Sequence, residues 1–190
     1  MGLPLIPTML SNVLRMTAPL WLSRMDEVRA EDNNSMFDTP EIPTKSNSEL
    51  KTIKALQDAG WETSDIAALM GNISVETGGT FDPLQQEKDG KGHGIFQLTG
   101  KQLKNYKKWL GDKEDTRYTQ ALFVRENIYG SHGNVPHDIG WRARGMLTDS
   151  FGGEGSTEDK TRVFSDVYER PEVPHMDRRI EEALKYNDIK

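Results

Sequence analysis

The 190-residue chain contains no cysteine. That excludes disulfide stapling and thiolate catalysis, and it leaves the fold to stand on its packed core in any redox compartment. The chain also lacks a membrane-spanning run, which takes about 20 mostly apolar residues. Its most apolar stretch, residues 1–28, is interrupted by Pro4, Pro7, Arg15 and Pro19. No positive residue precedes that stretch, so it does not have the form of a secretory signal. No Gly-x-x-x-x-Gly-Lys-Ser/Thr loop, Gly-x-Ser-x-Gly elbow or zinc-type His spacing is present, which removes phosphate cradling, a serine nucleophile of that kind and a metal from consideration. No cofactor is implied. With a net charge of −6 and no basic stripe with interleaved aromatics, the chain does not have the character of a nucleic-acid binder. The one lysine group, Lys101, Lys104, Lys107 and Lys108, has the spacing of the solvated side of a helix.

The length suffices for one domain with a sizeable core plus an appendage. Residues 1–28 are apolar without the means to form a core, and such a surface usually has a partner. They are expected to be an extended or helical docking arm. Residues 29–45 are polar and carry Pro40 and Pro43, as a linker does. A folded domain is expected over 46–190, opened by a capping box of Ser46 and Glu49 before Leu50, Ile53, Leu56 and Ala59.

Helical periodicity continues along the domain. Leu103, Tyr106 and Leu110 share a face, as do Tyr118, Ala121, Leu122, Arg125 and Ile128, ended by Gly130. Pro136 is expected to start a helix holding Ile139, Ala143, Met146 and Leu147; Ser156 or Thr157 to cap one ended by Pro171; and Pro174 to open the last, with Ile180, Ala183 and Leu184. No β-rich run exceeds a short hairpin, for which residues 88–91 supply the turn. The class is therefore mainly α with at most a small β-hairpin.

One helix stands out. From an N-cap at Thr63 or Ser64, Ile66, Leu69, Met70 and Ile73 recur at buried-face spacing, and Glu76 continues that face before Gly78-Gly79 ends it. Burial among apolar side chains and the negative end of the helix dipole both disfavour a charged carboxyl, so Glu76 is expected to hold its proton near neutral pH. That suits the acid that protonates a leaving glycosidic oxygen. A Gly-rich loop follows, and Gln97, flanked by Gly92, Gly94 and Gly100, can both donate and accept hydrogen bonds to a sugar.

The runs Gly71–Gly79 and Gly94–Gly100, with Tyr168-Glu169-Arg170-Pro171 and Arg178-Arg179 after them, resemble the phage tail lysozyme family of peptidoglycan hydrolases. The resemblance covers roughly residues 46–190. The Glu-to-Gln spacing is also similar to that of goose-type lysozymes and lytic transglycosylases, and Glu76 to Gly79 with Ile95 to Gly100 and Asn105-Tyr106 looks like family 19 chitinases and related endolysins.

The resemblance implies a lysozyme-like helical fold, Glu76 as general acid, Gln97 in the sugar groove, and cleavage of the β-1,4 glycan of bacterial peptidoglycan. The N-terminal arm then suggests a virion enzyme of the tail or particle interior, attached to other virion proteins and acting during genome ejection. A free endolysin, and an inactive tail or plug protein of the same fold, remain the alternatives.

Inverting glycosidases need a base carboxylate some 6.5 to 9.5 Å from the acid, to leave room for water. Glu87 and Asp89, with Asp82, are the loop candidates; with none in place, the substrate's own group could close the reaction, as in lytic transglycosylases. His93, Thr99, Phe96 and Tyr106 are further candidates for substrate contact, as are Trp109 and Trp141. Glu169 is expected to pair with Arg178 or Arg179 and lock the last two helices together.

Overall fold

In the computed structural model, residues 44–87, 90–130 and 139–189 are described. The expected arm and most of the linker, Asp89, the start of the hairpin turn and Pro136 lie outside them. The described residues form seven α-helices: α1 (Asn47–Asp58), α2 (Thr63–Thr77), α3 (Gly100–Leu110), α4 (Arg117–Tyr129), α5 (Trp141–Phe151), α6 (Thr157–Val163) and α7 (Met176–Leu184), with a π-helical turn (Phe164–Glu169) continuing α6. Among the described residues the only β-pairing is an isolated antiparallel bridge between Gln86 and His93. The fold is mainly α, as its periodicity indicates.

Local chemistry sets the helix ends. Ser46 and Glu49 form the expected capping box on α1, Thr116 and Thr119 form one on α4, and the Ser156 hydroxyl accepts from the Asp159 amide at the start of α6. Gly78 and Gly130 close α2 and α4 in the left-handed conformation that costs glycine nothing. α2 starts at Thr63 with Glu62 as its N-cap, one residue before the earlier of the two expected caps.

α2 is the central element. Ile66, Ala68, Leu69, Met70 and Ile73 are fully buried, and so are Asp65 and Asn72 on its other sides. A helix covered all round has no solvent stripe, so its polar residues must find partners inside. Asn72 bridges outward, its amide donating to the Ala68 and Thr161 carbonyls. Asp65 is paired with Lys160 of α6 at 2.6 Å, both side chains buried. Around this axis the aromatic core runs from Trp61 through Phe151 and Phe164 to Phe96 and Tyr168. Four apolar residues expected inside, Leu50, Tyr118, Met146 and Leu184, are exposed instead, because other positions face the neighbours: α1 and α4 pack on each other, α5 on α4 and α6, and α7 on α2.

Candidate functional site: a carboxyl, a guanidinium and a buried carboxyl

Glu76 stands in the last turn of α2 and is only partly buried, its side chain 18% exposed. Its partner comes from the far end of the sequence. α7 presents Met176, Arg179, Ile180 and Ala183 at i, i+3, i+4 and i+7, and Arg179 and Ala183 on that stripe are buried. This puts an arginine where the pattern calls for an apolar residue. Four of its five N–H donors are used: Nε donates to the Pro174 carbonyl at 2.7 Å, Nη1 to Asn72 Oδ1 at 3.0 Å and to Glu169, and Nη2 to Glu76. Buried charge is tolerated only when it is paired and hydrogen-bonded, and here the pairing fixes the angle of α7 on α2.

Glu169 closes the cluster from the other side. It ends the π-helical turn, after which Arg170 adopts a left-handed conformation at φ 53°. A π turn is rare and often found where a side chain must be re-aimed; this one delivers Glu169 into the interior, 3% exposed and ion-paired to Arg179. Burial, with the Glu76 carboxylate nearby as the next cause, pushes Glu169 up to about 8 against the pull of Arg179. Glu169 therefore keeps its proton at neutral pH beside the guanidinium that it shares with Glu76.

The structure thus differs from the sequence expectation in where burial acts. Glu76 meets a guanidinium and not a wall of apolar side chains, and the deeply desolvated carboxyl is Glu169. The pairing of Glu169 with Arg179 follows one of the two expected routes, but it lies in the core and includes Glu76. Arg178 is exposed. The signal for the bridge was Arg179 standing at i+3 and i−4 to Met176 and Ala183, on an otherwise apolar stripe.

The loop after α2 is braced by a second polar network. Glu87 N donates to Gly92 O and Gly94 N to Gln85 O, making the small hairpin. His93 Nε2 lies 2.6 Å from Asp115 Oδ2, while the Tyr106 hydroxyl and the Gln120 amide donate to Asp115 Oδ1 at 2.6 and 2.8 Å. Gln120 also donates to Pro83 O and accepts from Ile95 N, so one side chain of α4 holds both limbs of the loop. Gly94 is required there: a Cβ would stand 2.3 Å from Gln120 Oε1. The three hydrogen-bonding partners hold Asp115 below the usual carboxylate range despite its burial. Neither Asp115 nor Gln120 stood out in the sequence, because neither carries a motif.

These contacts reassign several candidates. Tyr106 is fully buried, edge-on to Phe123 at 5.2 Å, and Phe96 is buried against Phe164; both were candidates for substrate contact and are core residues. His93 braces the loop through Asp115. Gln97, at φ 44°, turns its amide back to donate to Gly94 O at 2.6 Å. Thr99 is exposed at the N-terminus of α3. Glu87 is exposed on the hairpin, and Asp82 is engaged as a turn cap, accepting from Leu84 N at 2.9 Å. Trp109 is covered by Lys113 at 4.0 Å, whereas Trp141 is largely exposed.

The loop and the charge cluster meet at the π turn. Phe96 packs on Phe164, where the turn begins, and Gln102 of α3 donates to the Tyr168 carbonyl at 3.4 Å, one residue before Glu169. Chemically, the cluster offers one carboxyl reaching the surface, a fixed cation behind it and a proton-holding group behind that.

No curated protein and no solved structure matches the chain. The family model for phage tail lysozyme matches residues 47–189, from the first residue of α1 to the end of the described chain. The chain therefore belongs to the phage tail lysozyme family.

Proposed function

We propose that the chain cleaves the β-1,4 glycan of bacterial peptidoglycan with Glu76 as the acid. Membership of its family makes it a phage peptidoglycan hydrolase in general terms. The observation that supports the finer reading is that Glu76 alone of the three clustered charges reaches the surface, while Arg179 and Glu169 stand buried behind it. A leaving glycosidic oxygen takes its proton as the bond breaks; in this reading the proton held on Glu169 at rest passes to Glu76 before that step. The carboxylate left on Glu76 is then met at once by a guanidinium that needs no rearrangement, the preorganised kind of stabilisation. Gln97 and Thr99 supply the polar edge for the sugar, and the His93–Asp115 brace holds that edge in place. Glu87, exposed on the hairpin, is the proposed water-activating base, with Asp89 two residues on as the second candidate.

The virion setting belongs to the same proposal: residues 1–28 dock the enzyme on other virion proteins, so that the wall is opened locally during genome ejection. Mass spectrometry of fragments released from purified peptidoglycan by the full chain tests the chemistry. Reducing ends that have gained water are expected from a base-assisted hydrolase; 1,6-anhydro ends would remove Glu87 and Asp89 from the mechanism. Detection of the chain in purified particles, and its loss from them when residues 1–28 are deleted, tests the setting. A chain found only in lysate would make it a free endolysin.

A further inference from the structure

Between Gly90 and Gly111 the chain has five lysines and no acidic residue, although the whole protein is negative. Four of them lie on α3. At 100° per residue, Lys101, Lys104, Lys107 and Lys108 fall within an arc of about 120°, opposite the side on which Tyr106 is buried. All four are exposed.

Three lysines elsewhere have intramolecular anions, and Lys113 and Lys45 lie over the Trp109 and Tyr186 rings. Lys54 pairs with Asp58, Lys185 with Glu182 and Lys160 with Asp65. Among the described residues, Lys104, Lys107 and Lys108 have no such carboxylate partner. Lysines three and four apart repel one another on a helix surface, and Lys101 in the first turn opposes the positive end of the dipole. Helix stability therefore does not account for the cluster; only Lys107 and Lys108, in the last turn, are favoured by the dipole.

The position of α3 gives the cluster a use. It begins directly after Gln97 and Thr99, so Lys101 in its first turn follows that polar edge at once, while Gln102, which donates to the Tyr168 carbonyl, lies on the opposite, inward side of the helix. A polymer bound at Glu76 and continuing past Thr99 would run along this face. All of its charges are lysines, which act as point charges, whereas arginine would grip an anion in a fixed bidentate geometry. Such a surface suits repeated anions at no fixed register.

We propose that the lysine face of α3 is a docking strip for the peptide carboxylates of the uncleaved peptidoglycan strand, holding the polymer by charge while Glu76 acts. The proposal rests on the reading of Glu76 as a peptidoglycan-cleaving acid. Binding is therefore measured in the Glu76→Gln chain, so that failure to dock and failure to cleave are separate results. The experiment is co-sedimentation of the full chain with purified peptidoglycan, with and without Lys104→Gln/Lys107→Gln/Lys108→Gln, at about 50 and about 300 mM salt.

At low salt the triple variant is expected to bind about tenfold more weakly, and at high salt the two are expected to converge. A Lys→Arg triple variant should bind as the parent does. Capping the peptidoglycan carboxyls as methylamides should erase the difference, whereas stripping phosphate polymers with hydrofluoric acid should leave it. Equal binding of parent and triple variant at low salt, or a difference that persists on capped peptidoglycan, would overturn the proposal. A difference lost only on phosphate stripping would overturn it too, assigning the strip to a phosphate polymer. The substituted side chains are exposed, so the variants should melt with the parent; a shifted melt calls for the single variants, read the same way.

Discussion

Ala183 fills the space that a side chain at position 71 would need. A Cβ on Gly71 would stand 2.5 Å from the Ala183 methyl carbon and 2.4 Å from the Arg179 carbonyl oxygen. This absence of a side chain in the middle of α2 lets α7 approach closely enough for Arg179 to reach both Glu76 and Glu169. Glycine in a helix interior costs about 1 kcal/mol relative to alanine, and here that cost is offset by close packing.

Gly71→Ala is therefore expected to destabilise, despite its better helix propensity, by about 1–3 kcal/mol, because the atoms it meets include backbone that cannot rotate away. A denaturant midpoint lowered accordingly, with slower fragment release at temperatures where the variant is still folded, would show that α7 has moved away from Glu76.

Arg179 should tolerate no replacement well. Removing it leaves two carboxyls facing each other in the interior, and breaking a buried pair typically costs about 3–5 kcal/mol. Arg179→Lys keeps the charge but not the fork that holds Glu76, Glu169 and Asn72 at once. It is expected to fold with reduced stability and to release peptidoglycan fragments at least about tenfold more slowly. Parental turnover in Arg179→Lys would show that the guanidinium is only structural.

The pH dependence of stability follows from Glu169. Its carboxyl is raised from 4.5 in the unfolded reference to about 8 in the folded chain. Below the lower value both states are protonated. Between the two the unfolded chain has released a proton that the folded chain keeps, so stability falls as pH rises through that window. Glu169→Gln should remove this slope. Urea midpoints for both proteins across the window check it: the parent should lose stability with rising pH where the glutamine variant does not.

Asp115 works in the opposite sense. Its folded value lies below 3.8, so its contribution is present above that value and is lost as pH falls through the depressed one. Asp115→Ala removes the acceptor for Tyr106 and Gln120 and frees His93. Leaving such buried donors unsatisfied costs about 1–3 kcal/mol. Faster amide exchange at His93, Gly94 and Leu98, with α2 amides less affected, would show that the anchor acts on the loop. A uniform change across the domain would assign Asp115 to global stability alone.

Much of this was legible in the sequence, and the reasons differ by residue. The Ser46–Glu49 box and the glycine stops at Gly78 and Gly130 could be read because capping is local chemistry. Ile66, Leu69, Met70 and Ile73 could be read because periodicity reports a buried face. Tyr106 and Phe96 could not be assigned, because an aromatic on a helix or in a turn looks the same in sequence whether it covers a core or a sugar. The partner of Glu76 was hidden for another reason: Arg179 is 103 residues away, and only the packing of α7 at Gly71 brings it there. Asp115 and Gln120 escaped notice because their importance lies in what they hold.

The most direct test of the central claim is the rate at which Glu76→Gln releases soluble fragments from purified peptidoglycan, compared with the parent chain. Glutamine keeps the shape and can still accept from Arg179, so the variant should fold with parental helix content. Its rate should fall by about a hundredfold or more, the usual scale for losing a general acid. Release at the parental rate by a folded Glu76→Gln protein would contradict the assignment of Glu76 as the acid.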